Sequence, residues 1–418
     1  MNFQFDGSIS REVLNNYLSR AVTHCGIGMD NNLRSATVAD DLRMLKREGA
    51  KFIGRATYTW GETDEAQHFK MAAQRAGMAH AVDPDFILQA CVFECIKKSF
   101  VDTVPVPAWV FADFGLTVEN RCFRYNDMLF PDGTYVNHWG RGSSVEDITR
   151  LESRLWIYYR SCAYIAAGYE GIHFGQVHLI GATDDGFFYW KQLVGMIRAF
   201  AVKHARRHYV LCDAHTHGIV LDGEMLFDYN AWPLRLKEII DKPYECELAV
   251  GYHDGIYGDR RSGRLGSRGG RHPSGWEADS MPFIVEFDNF GRSNFEYEAR
   301  HDSYYVWGFD EITWFAMQPR EYRHQFLRYV WDWVNRRYPE GWVQMPSRRC
   351  VKGPFTSVWE NPDTAWLDNI AADEGLTYEL EDGKAVIKRN YYSANNPSAA
   401  CPFGFGDEDA VRECFLND

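Results

Sequence analysis

Short apolar runs alternate with longer helical patterns along most of this 418-residue chain, and this alternation is the feature that most limits its fold. The runs are almost continuously apolar, which is typical of strands that are buried on both faces of a parallel sheet. Eight such strands are predicted, at residues 20–28, 51–61, 86–96, 171–181, 208–218, 223–233, 281–291 and 341–349. Eight strands joined mostly by helices predict an α/β fold of the (β/α)8 or TIM-barrel type. An open, doubly wound sheet is the alternative.

Helical periodicity fills most of the gaps between these runs. It predicts helices at residues 37–50, 64–78, 144–170, 186–207, 310–339 and 406–416. Pro319 falls inside one of them and should break or kink it, because proline removes a backbone donor and clashes with the preceding turn.

Long loops interrupt the alternation at residues 100–143, 251–280 and 351–400. Long loops in a compact fold tend to be functional, and we expect them on the carboxyl-terminal face of the barrel. Residues 376–390 read as a hairpin that turns at Asp382 and Gly383. We therefore predict one barrel domain over residues 1–418, with an irregular β-hairpin insertion at 351–400.

Composition excludes several classes of protein. The formal net charge of -13 argues against a nucleic-acid partner. No apolar stretch is long enough for a membrane helix, and the first residues lack the pattern of a signal peptide. The ten cysteines are scattered without CxxC pairs, which indicates reduced thiols rather than a metal cluster. We expect a cytoplasmic protein without a cofactor, and 15% aromatic residues allow a homo-oligomer.

Polar side chains follow the apolar part of six predicted strands, and the sequence "PFIVEFDNFG" at residues 282–291 is the clearest case. Catalytic groups of a (β/α)8 barrel come from the carboxyl ends of several strands, so we expect these side chains to converge on one cleft. They are Glu94, Gln176, His178, Asp213, His215, His217, Asp228, Asn230, Glu286, Asp288, Asn289, Gln344 and Ser347.

Among these residues, we take Glu286, Asp213 and Glu94 as candidate catalytic carboxylates. The alternative for Glu94 is a structural ion pair with Arg55, and Asp228 could instead cap a turn. The residues expected to bind substrate are Gln176, His178, His215, His217, Asp228, Asp288 and Asn289, with Asp288 orienting its neighbours by hydrogen bonds.

The loop at residues 258–276 is rich in glycine and arginine. Glycine gives mobility and arginine binds anionic or hydroxylated groups, so we predict a lid in which Arg271 and Trp276 contact the substrate. A solvated flexible loop is the alternative. Aromatic platforms for a sugar ring are expected at Trp60, Trp139, Trp276 and Trp307.

Two carboxyl groups that face each other across a sugar suffice for glycoside hydrolysis. The segment "IVEFDN", with Glu286 near its end, resembles the strand-seven nucleophile of the large clan of (β/α)8 retaining glycosidases. That clan carries its acid in an Asn-Glu pair at the end of strand four, where this chain has "FGQVH" and Gln176. The acid must then come from Asp213 or Glu94, and retention or inversion stays open. The resemblance implies a glycoside hydrolase, and the expected cytoplasmic location suits a small oligosaccharide or glycoside as its substrate.

Two other functions are compatible with the same residues. The segment "DAHTH" at residues 213–217 offers a carboxylate and two imidazoles, which suit a catalytic metal ion. Its HxH is similar to that of metal-dependent amidohydrolase barrels, although there it lies on the first strand. A metal-dependent hydrolase or isomerase is therefore the second hypothesis, and a non-catalytic binding protein is the third.

Overall fold

The structure is a computed structural model, which describes residues 1–29, 32–60, 63–239, 241–242, 245–250, 268–287, 311–350, 356–360, 362, 364–365, 367–368, 377–388, 391–401 and 404–416.

Eight parallel strands form a closed barrel. They are β1 (Ala21–His24), β2 (Phe52–Tyr58), β3 (Ile87–Cys91), β4 (Gly171–His173), β5 (Leu211–His215), β6 (Tyr229–Glu238), β7 (Phe283–Glu286) and β8 (Gly341–Cys350). Each strand pairs with the next, and β1 pairs with β8, so that Val22 lies between Ile53 and Met345. This closure confirms the predicted (β/α)8 barrel and excludes the open sheet.

Helices cover most of the barrel. The longer ones are α1 (Arg11–Leu18), α2 (Asn32–Glu48), α3 (Glu65–Val82), α4 (Leu151–Ala166), α5 (Phe188–His204), α6 (Glu311–Met317), α7 (Arg320–Arg337) and α8 (Glu408–Leu416). Pro319 separates α6 from α7, as predicted. Shorter helical segments are Lys98–Val101, Ala108–Asp113, Tyr125–Met128, Val177–Ile180 and Asp185–Phe187. Within the described ranges, every helix is too short or too polar to cross a membrane.

Several strand boundaries differ from the sequence prediction: β3 ends at Cys91, before Glu94, and β5 ends at His215, before His217. β4 ends at His173, so Gln176 and His178 lie beyond it, on the short helix Val177–Ile180 and its cap. β6 begins at Tyr229 rather than at residue 223. β7 ends at Glu286, which is therefore the last residue of its strand.

Smaller sheets surround the barrel. One contains Val220–Leu221, Glu224–Met225, Gly270–Arg271 and Glu277–Ala278; another contains Thr356–Glu360, Thr377–Glu381 and Lys384–Lys388; a third pairs Ile96–Lys97 with Ser143–Ser144. Cys246–Val250 and Tyr391–Ser393 pair antiparallel with the ends of β6 and β8. The predicted hairpin turn is confirmed, because Asp382 and Gly383 have φ values of 50° and 76°, the left-handed geometry of a two-residue turn.

Two clusters make up most of the core in the described part of the chain. Outward-facing strand residues pack beneath the helices in one large cluster. Inward-facing residues at the amino-terminal end of the barrel, such as Phe52, Leu211 and Ile284, form a second cluster with Val13, Leu14 and Tyr17 of α1. The helix α1 thus closes this end of the barrel, and polar groups are left to occupy the carboxyl-terminal end.

Candidate active site

Glu286 is held inside the barrel by two cations and an imidazole. Arg55 of β2 donates from Nε to Oε2 at 2.9 Å and from Nη2 to Oε1 at 2.5 Å. His215 of β5 lies 3.0 Å from Oε1 through its Nε2, and Nη1 of Arg349 is 3.9 Å from Oε2. Only 1% of Glu286 is exposed, so the carboxylate is almost fully withdrawn from water.

The charges around Glu286 keep it ionised. Burial by itself would raise the pKa of this carboxyl group. Arg55, the hydrogen bond from His215 and the charge of Arg349 outweigh burial and hold the pKa well below its usual value. Glu286 is therefore an anion at neutral pH, as a nucleophile or an electrostatic stabiliser must be.

An irregularity in β2 aims Arg55 at Glu286. The pairing of β2 with β3 shifts register between Ile53 and Thr57, and Arg55 has a left-handed φ of 53°. Such a conformation costs a residue with a side chain about 1–2 kcal/mol, and it persists where surrounding contacts enforce it. The backbone N–H of Arg55 donates to Oε1 of Gln89 at 2.9 Å. At Gly54, a Cβ would lie 1.6 Å from Nε2 of Gln344, so a side chain there would displace the amide of Gln344.

Asp213 is buried as well, and both of its carboxylate oxygens have hydrogen-bond partners. Gln89 Nε2 and Tyr229 OH donate to its Oδ1 at 2.8 and 2.9 Å. Its Oδ2 lies 2.7 Å from Nδ1 of His173. Asp213 thus fixes the His173 ring with the proton on Nδ1, and Nε2 of His173 has no hydrogen-bond partner within the described part of the chain.

The carboxylates of Asp213 and Glu286 belong to one connected network of contacts. The rings of His173 and His215 meet edge to face with centroids 4.8 Å apart, and His215 contacts Glu286. Gln89 bonds both to Asp213 and to the backbone of Arg55. The structure therefore brings Asp213, His215 and Glu286 together inside the barrel, as the strand pattern predicted.

Glu94 lies at the same end, three residues beyond β3. The backbone N–H and the Nε2 of Gln176 donate to its two carboxylate oxygens at 2.9 and 2.8 Å. The indole Nε1 of Trp139 donates to its backbone carbonyl at 2.7 Å. The alternative ion pair between Glu94 and Arg55 is not formed, because Arg55 binds Glu286 instead.

A row of aromatic rings leads from the surface to this network. Trp60, which is 42% exposed, contacts Trp139 and Phe93 with centroid distances of 5.1 and 5.4 Å. Phe93 in turn lies 5.8 Å from the ring of His173 and beneath the guanidinium of Arg55. We call Trp60, Trp139 and Phe93 the aromatic wall.

Three residues expected to bind substrate lie elsewhere. Asp228 precedes β6 on the outside of the barrel, where it binds Arg198 at 2.9 Å and Tyr209 at 2.5 Å. Trp276 stacks on His272 and donates to the backbone of Ile9, which precedes α1 at the amino-terminal end. Arg271 is an exposed residue of the four-stranded sheet, paired with Glu224. Arg271 and Trp276, the lid residues expected to bind substrate, therefore make their contacts elsewhere, while the backbone N–H of Arg268 donates to the carbonyl of His217, just beyond β5.

The two histidines that flank the site face away from Glu286. His178 contacts Thr216 Oγ1 at 3.1 Å, and its ring packs on Phe187. His217 packs on Trp232, an outward-facing residue of β6. The two imidazoles of the HxH segment, those of His215 and His217, therefore lie in different surroundings. In the portion of the chain that the structure describes, no group of three or more His, Cys, Asp or Glu side chains could hold a metal ion.

Some expectations fall outside the described residues. These are the site residues Asp288 and Asn289, the platform Trp307, and the lid at residues 258–267.

The structure adds several residues to the site that were not assigned to it from the sequence. Gln89, His173 and Tyr229 hold Asp213, while Arg55 and Arg349 hold Glu286. A sequence signal existed for each, because a polar residue inside an apolar strand must find a partner. His173 ends the apolar run of β4 in the same way that Glu286 ends β7.

Comparison with known proteins identifies no family. No protein-family model matches the chain, and no curated protein sequence matches it. Among solved structures, it is similar to the debranching enzyme of Nostoc punctiforme, at 12% identity and a TM-score of 0.32 over 55% of this chain and 53% of that one. The glycoside hydrolase domain of PelA from Pseudomonas aeruginosa aligns at 12% identity and a TM-score of 0.34, over 73% of this chain and 90% of that one.

A GH2 beta-galacturonidase from Eisenbergiella tayi aligns at 10% identity and a TM-score of 0.38, over 96% of this chain and 51% of that one. The chain spans about half the length of this enzyme and of the debranching enzyme. At these identities and TM-scores the similarities give no information beyond the barrel topology. The function therefore has to be argued from the site.

Proposed function

We propose that the protein hydrolyses a small oligosaccharide or glycoside, with Glu286 as the reactive carboxylate. The observation that carries the proposal is the two-point contact of Arg55 with Glu286 at the carboxyl end of β7. A buried carboxylate held ionised by a cation is suited to attack an anomeric carbon or to stabilise positive charge that develops there.

Glu94 is the proposed proton donor. It is the other candidate carboxyl group at the carboxyl-terminal end, and its neighbour Phe93 lies beneath the Arg55 that binds Glu286. In the proposed reaction, Glu286 attacks the anomeric carbon while Glu94 gives its proton to the departing oxygen. Water then cleaves the glycosyl ester, and Glu94 takes one proton from that water.

Asp213 has a supporting role in this proposal. Its oxygens already accept hydrogen bonds from Gln89, Tyr229 and His173, so it is poorly placed to deliver a proton. It orients His173 instead, and His173 packs against both His215 and the aromatic wall. Asp213 therefore helps to fix the ring that supports the contact between His215 and Glu286.

The aromatic wall supports a sugar as the substrate. Flat aromatic faces pack against the apolar face of a pyranose ring, and polar groups around them bind the hydroxyls. Trp60 is exposed, Trp139 is half-buried, and Gln176 lies next to Glu94.

Substitution of Glu286 tests the proposal. Wild-type protein is assayed against a panel of aryl glycosides and short oligosaccharides, and binding is followed by calorimetry. E286Q should lower kcat by about 10³-fold or more, because the nucleophile is lost, while sugar binding persists. E277Q, at an exposed glutamate of the small sheet, is the matched control and should keep full turnover. Full turnover by E286Q, or a wild-type protein that neither binds nor hydrolyses any member of the panel, would refute the proposal.

A further inference from the structure

One ring nitrogen of His173 is in use inside the barrel, and the other is not. His173 is the last residue of β4 and is paired in register with Asp213 of β5. Oδ2 of Asp213 lies 2.7 Å from Nδ1 of the ring. Only 2% of His173 is exposed, and its Nε2 makes no hydrogen bond to any group in the part of the chain that the structure describes.

Asp213 decides which nitrogen of this ring carries the proton. Its other oxygen accepts hydrogen bonds from Gln89 and from the hydroxyl of Tyr229, so Asp213 acts as an acceptor on both sides. A neutral imidazole has one N–H and one nitrogen with a lone pair, and a carboxylate at Nδ1 places the N–H there. Nε2 of His173 therefore presents a lone pair, which accepts a hydrogen bond.

The fold has no use for this lone pair. A buried acceptor without a donor costs free energy, and most buried polar atoms of native proteins have a partner. An asparagine could donate to Asp213, and a phenylalanine could pack against the neighbouring rings. Only a histidine provides both the bond to Asp213 and a second polar atom at the far end of the ring.

The contacts of the ring place it beside Glu286. The rings of His173 and His215 meet edge to face with centroids 4.8 Å apart, and Nε2 of His215 lies 3.0 Å from Oε1 of Glu286. The ring of Phe93, part of the aromatic wall, is 5.8 Å from the ring of His173. His173 therefore contacts both the residue that bonds to the proposed nucleophile and the surface proposed to hold the sugar.

We propose that Nε2 of His173 accepts a hydrogen bond from one hydroxyl group of the sugar ring that Glu286 attacks, and that it makes this free hydroxyl a requirement for binding. A hydroxyl group has a proton to donate to the lone pair. A methyl ether at the same position has none, and a carboxylate would set a second acceptor against the lone pair. The inference rests on the proposed function, because it takes Glu286 to mark the position of the anomeric carbon.

Analogues that lack one hydroxyl group test this contact. The aryl glycoside with the highest kcat/KM is compared with its monodeoxy analogues, each of which lacks a different hydroxyl of the reacting sugar. In the wild-type protein, loss of the hydroxyl that His173 binds should lower kcat/KM about tenfold or more. The ratio of analogue to parent is compared between wild type and variants, so that the intrinsic reactivity of each analogue cancels.

Two substitutions of His173 separate its two nitrogens. Asparagine can place an amide N–H where Nδ1 lies but has no atom at the position of Nε2, so H173N should reduce the tenfold discrimination to about threefold or less. Glutamine can place a carbonyl oxygen where Nε2 lies, so H173Q should recover part of the discrimination. H272N is the control and should keep the wild-type ratio, because His272 is also buried but stacks on Trp276 at the amino-terminal end.

Nitrogen-15 NMR of the histidine rings tests the same contact without any need for activity. The signals of His173 are those that disappear in H173N. In the free protein, Nδ1 should be protonated and Nε2 unprotonated. When sugar is added to E286Q, which binds without turnover, the shift of Nε2 should move towards that of a protonated nitrogen. This measurement also decides the question if H173N does not fold.

The outcomes separate this inference from the proposed function. A protonated Nε2 in the free protein, an Nε2 shift that bound sugar leaves unchanged, or equal discrimination in H173N and wild type overturns the role of His173. Hydrolysis would then still stand. Sugar binding that shows the His173 signature in calorimetric Kd values, without any hydrolysis, overturns the proposed function and leaves the recognition by His173 standing. A protein that binds no sugar overturns both.

Discussion

At the scale of single residues, the site consists of charges that are buried only because each has a specific partner. Arg55 and Glu286 are both inside the barrel, and removal of one partner from such a pair typically costs 3–5 kcal/mol, because the remaining charge is left without compensation. The two-point contact from the guanidinium group of Arg55 also keeps Glu286 ionised. Arg55 should therefore affect both the stability of the protein and the pH at which it works.

Replacement of Arg55 by lysine tests this dependence. R55K keeps a positive charge but loses the two-point contact, so the pKa of Glu286 should rise towards its usual value. The acid limb of kcat/KM should move to higher pH with it. R271K, at the exposed pair with Glu224, is the control. An acid limb that does not move in R55K would contradict the prediction.

The sign of the accompanying stability change follows from the lowered pKa. A carboxyl group whose pKa is depressed in the folded state stabilises the fold above its unfolded pKa of about 4.5, and this contribution is lost as pH falls through the folded pKa. R55K should therefore be less stable than the wild-type protein at pH 7, and the difference should shrink in acid. Urea unfolding at pH 7 and at acid pH measures this difference in the free energy of unfolding between R55K and the wild-type protein.

At the scale of structural elements, loops after the strands supply the surface that a substrate would meet. Trp60 follows β2, Phe93 follows β3, and Trp139 lies in the long connection to β4. Trp60 meets both Phe93 and Trp139 edge to face, which fixes the orientation of the rings. The aromatic wall is therefore a preformed surface rather than a set of independent side chains.

Removal of the exposed ring should weaken sugar binding more than it slows chemistry. W60A should raise the Kd for a bound sugar about tenfold, or ~1.4 kcal/mol, with little change in kcat. W109A is a matched control, since Trp109 is 36% exposed but packs on Phe200 and Tyr158 beside α4 and α5. Equal losses of affinity in the two variants would rule out a specific role for Trp60.

At the scale of the whole molecule, the barrel is divided into an apolar end and a polar end. The short helix α1 closes the apolar end with Val13, Leu14 and Tyr17, and Ser10 caps its first turn. The polar groups lie between this closed end and the carboxyl-terminal loops. The closed end keeps water away from the side of the charge network that faces α1. Electrostatic interactions are strongest where water is excluded.

Truncation of a single side chain of α1 should destabilise the whole barrel. L14A removes a completely buried leucine and should lower the free energy of unfolding by about 2–5 kcal/mol, with an unchanged m-value. E12A, at an exposed residue of the same helix, is the control. A loss below about 1 kcal/mol in L14A would show that the helix is not part of the cooperative unit.

The sequence alone predicted the number and order of the barrel strands, the break at Pro319 and the turn at Asp382 and Gly383. These features depend on local chemistry: apolar runs bury themselves, proline lacks an N–H, and glycine accepts a positive φ. The sequence also placed Glu286 near a strand end, because a carboxylate that follows an apolar run has to find a partner.

Only the tertiary structure decided which partner each polar group meets. Arg55 binds Glu286 rather than Glu94, and Asp213 bonds to His173, because closure of the barrel sets which strands are neighbours and at what height their side chains meet. The partner of Asp228 was also decided by the tertiary structure, because Asp228 precedes β6 and bonds to Arg198 outside the barrel. Contacts such as Asp213–His173 and Arg55–Glu286, which join residues 40 and 231 positions apart in the chain, carry no local signal, and they determine the chemistry of this site.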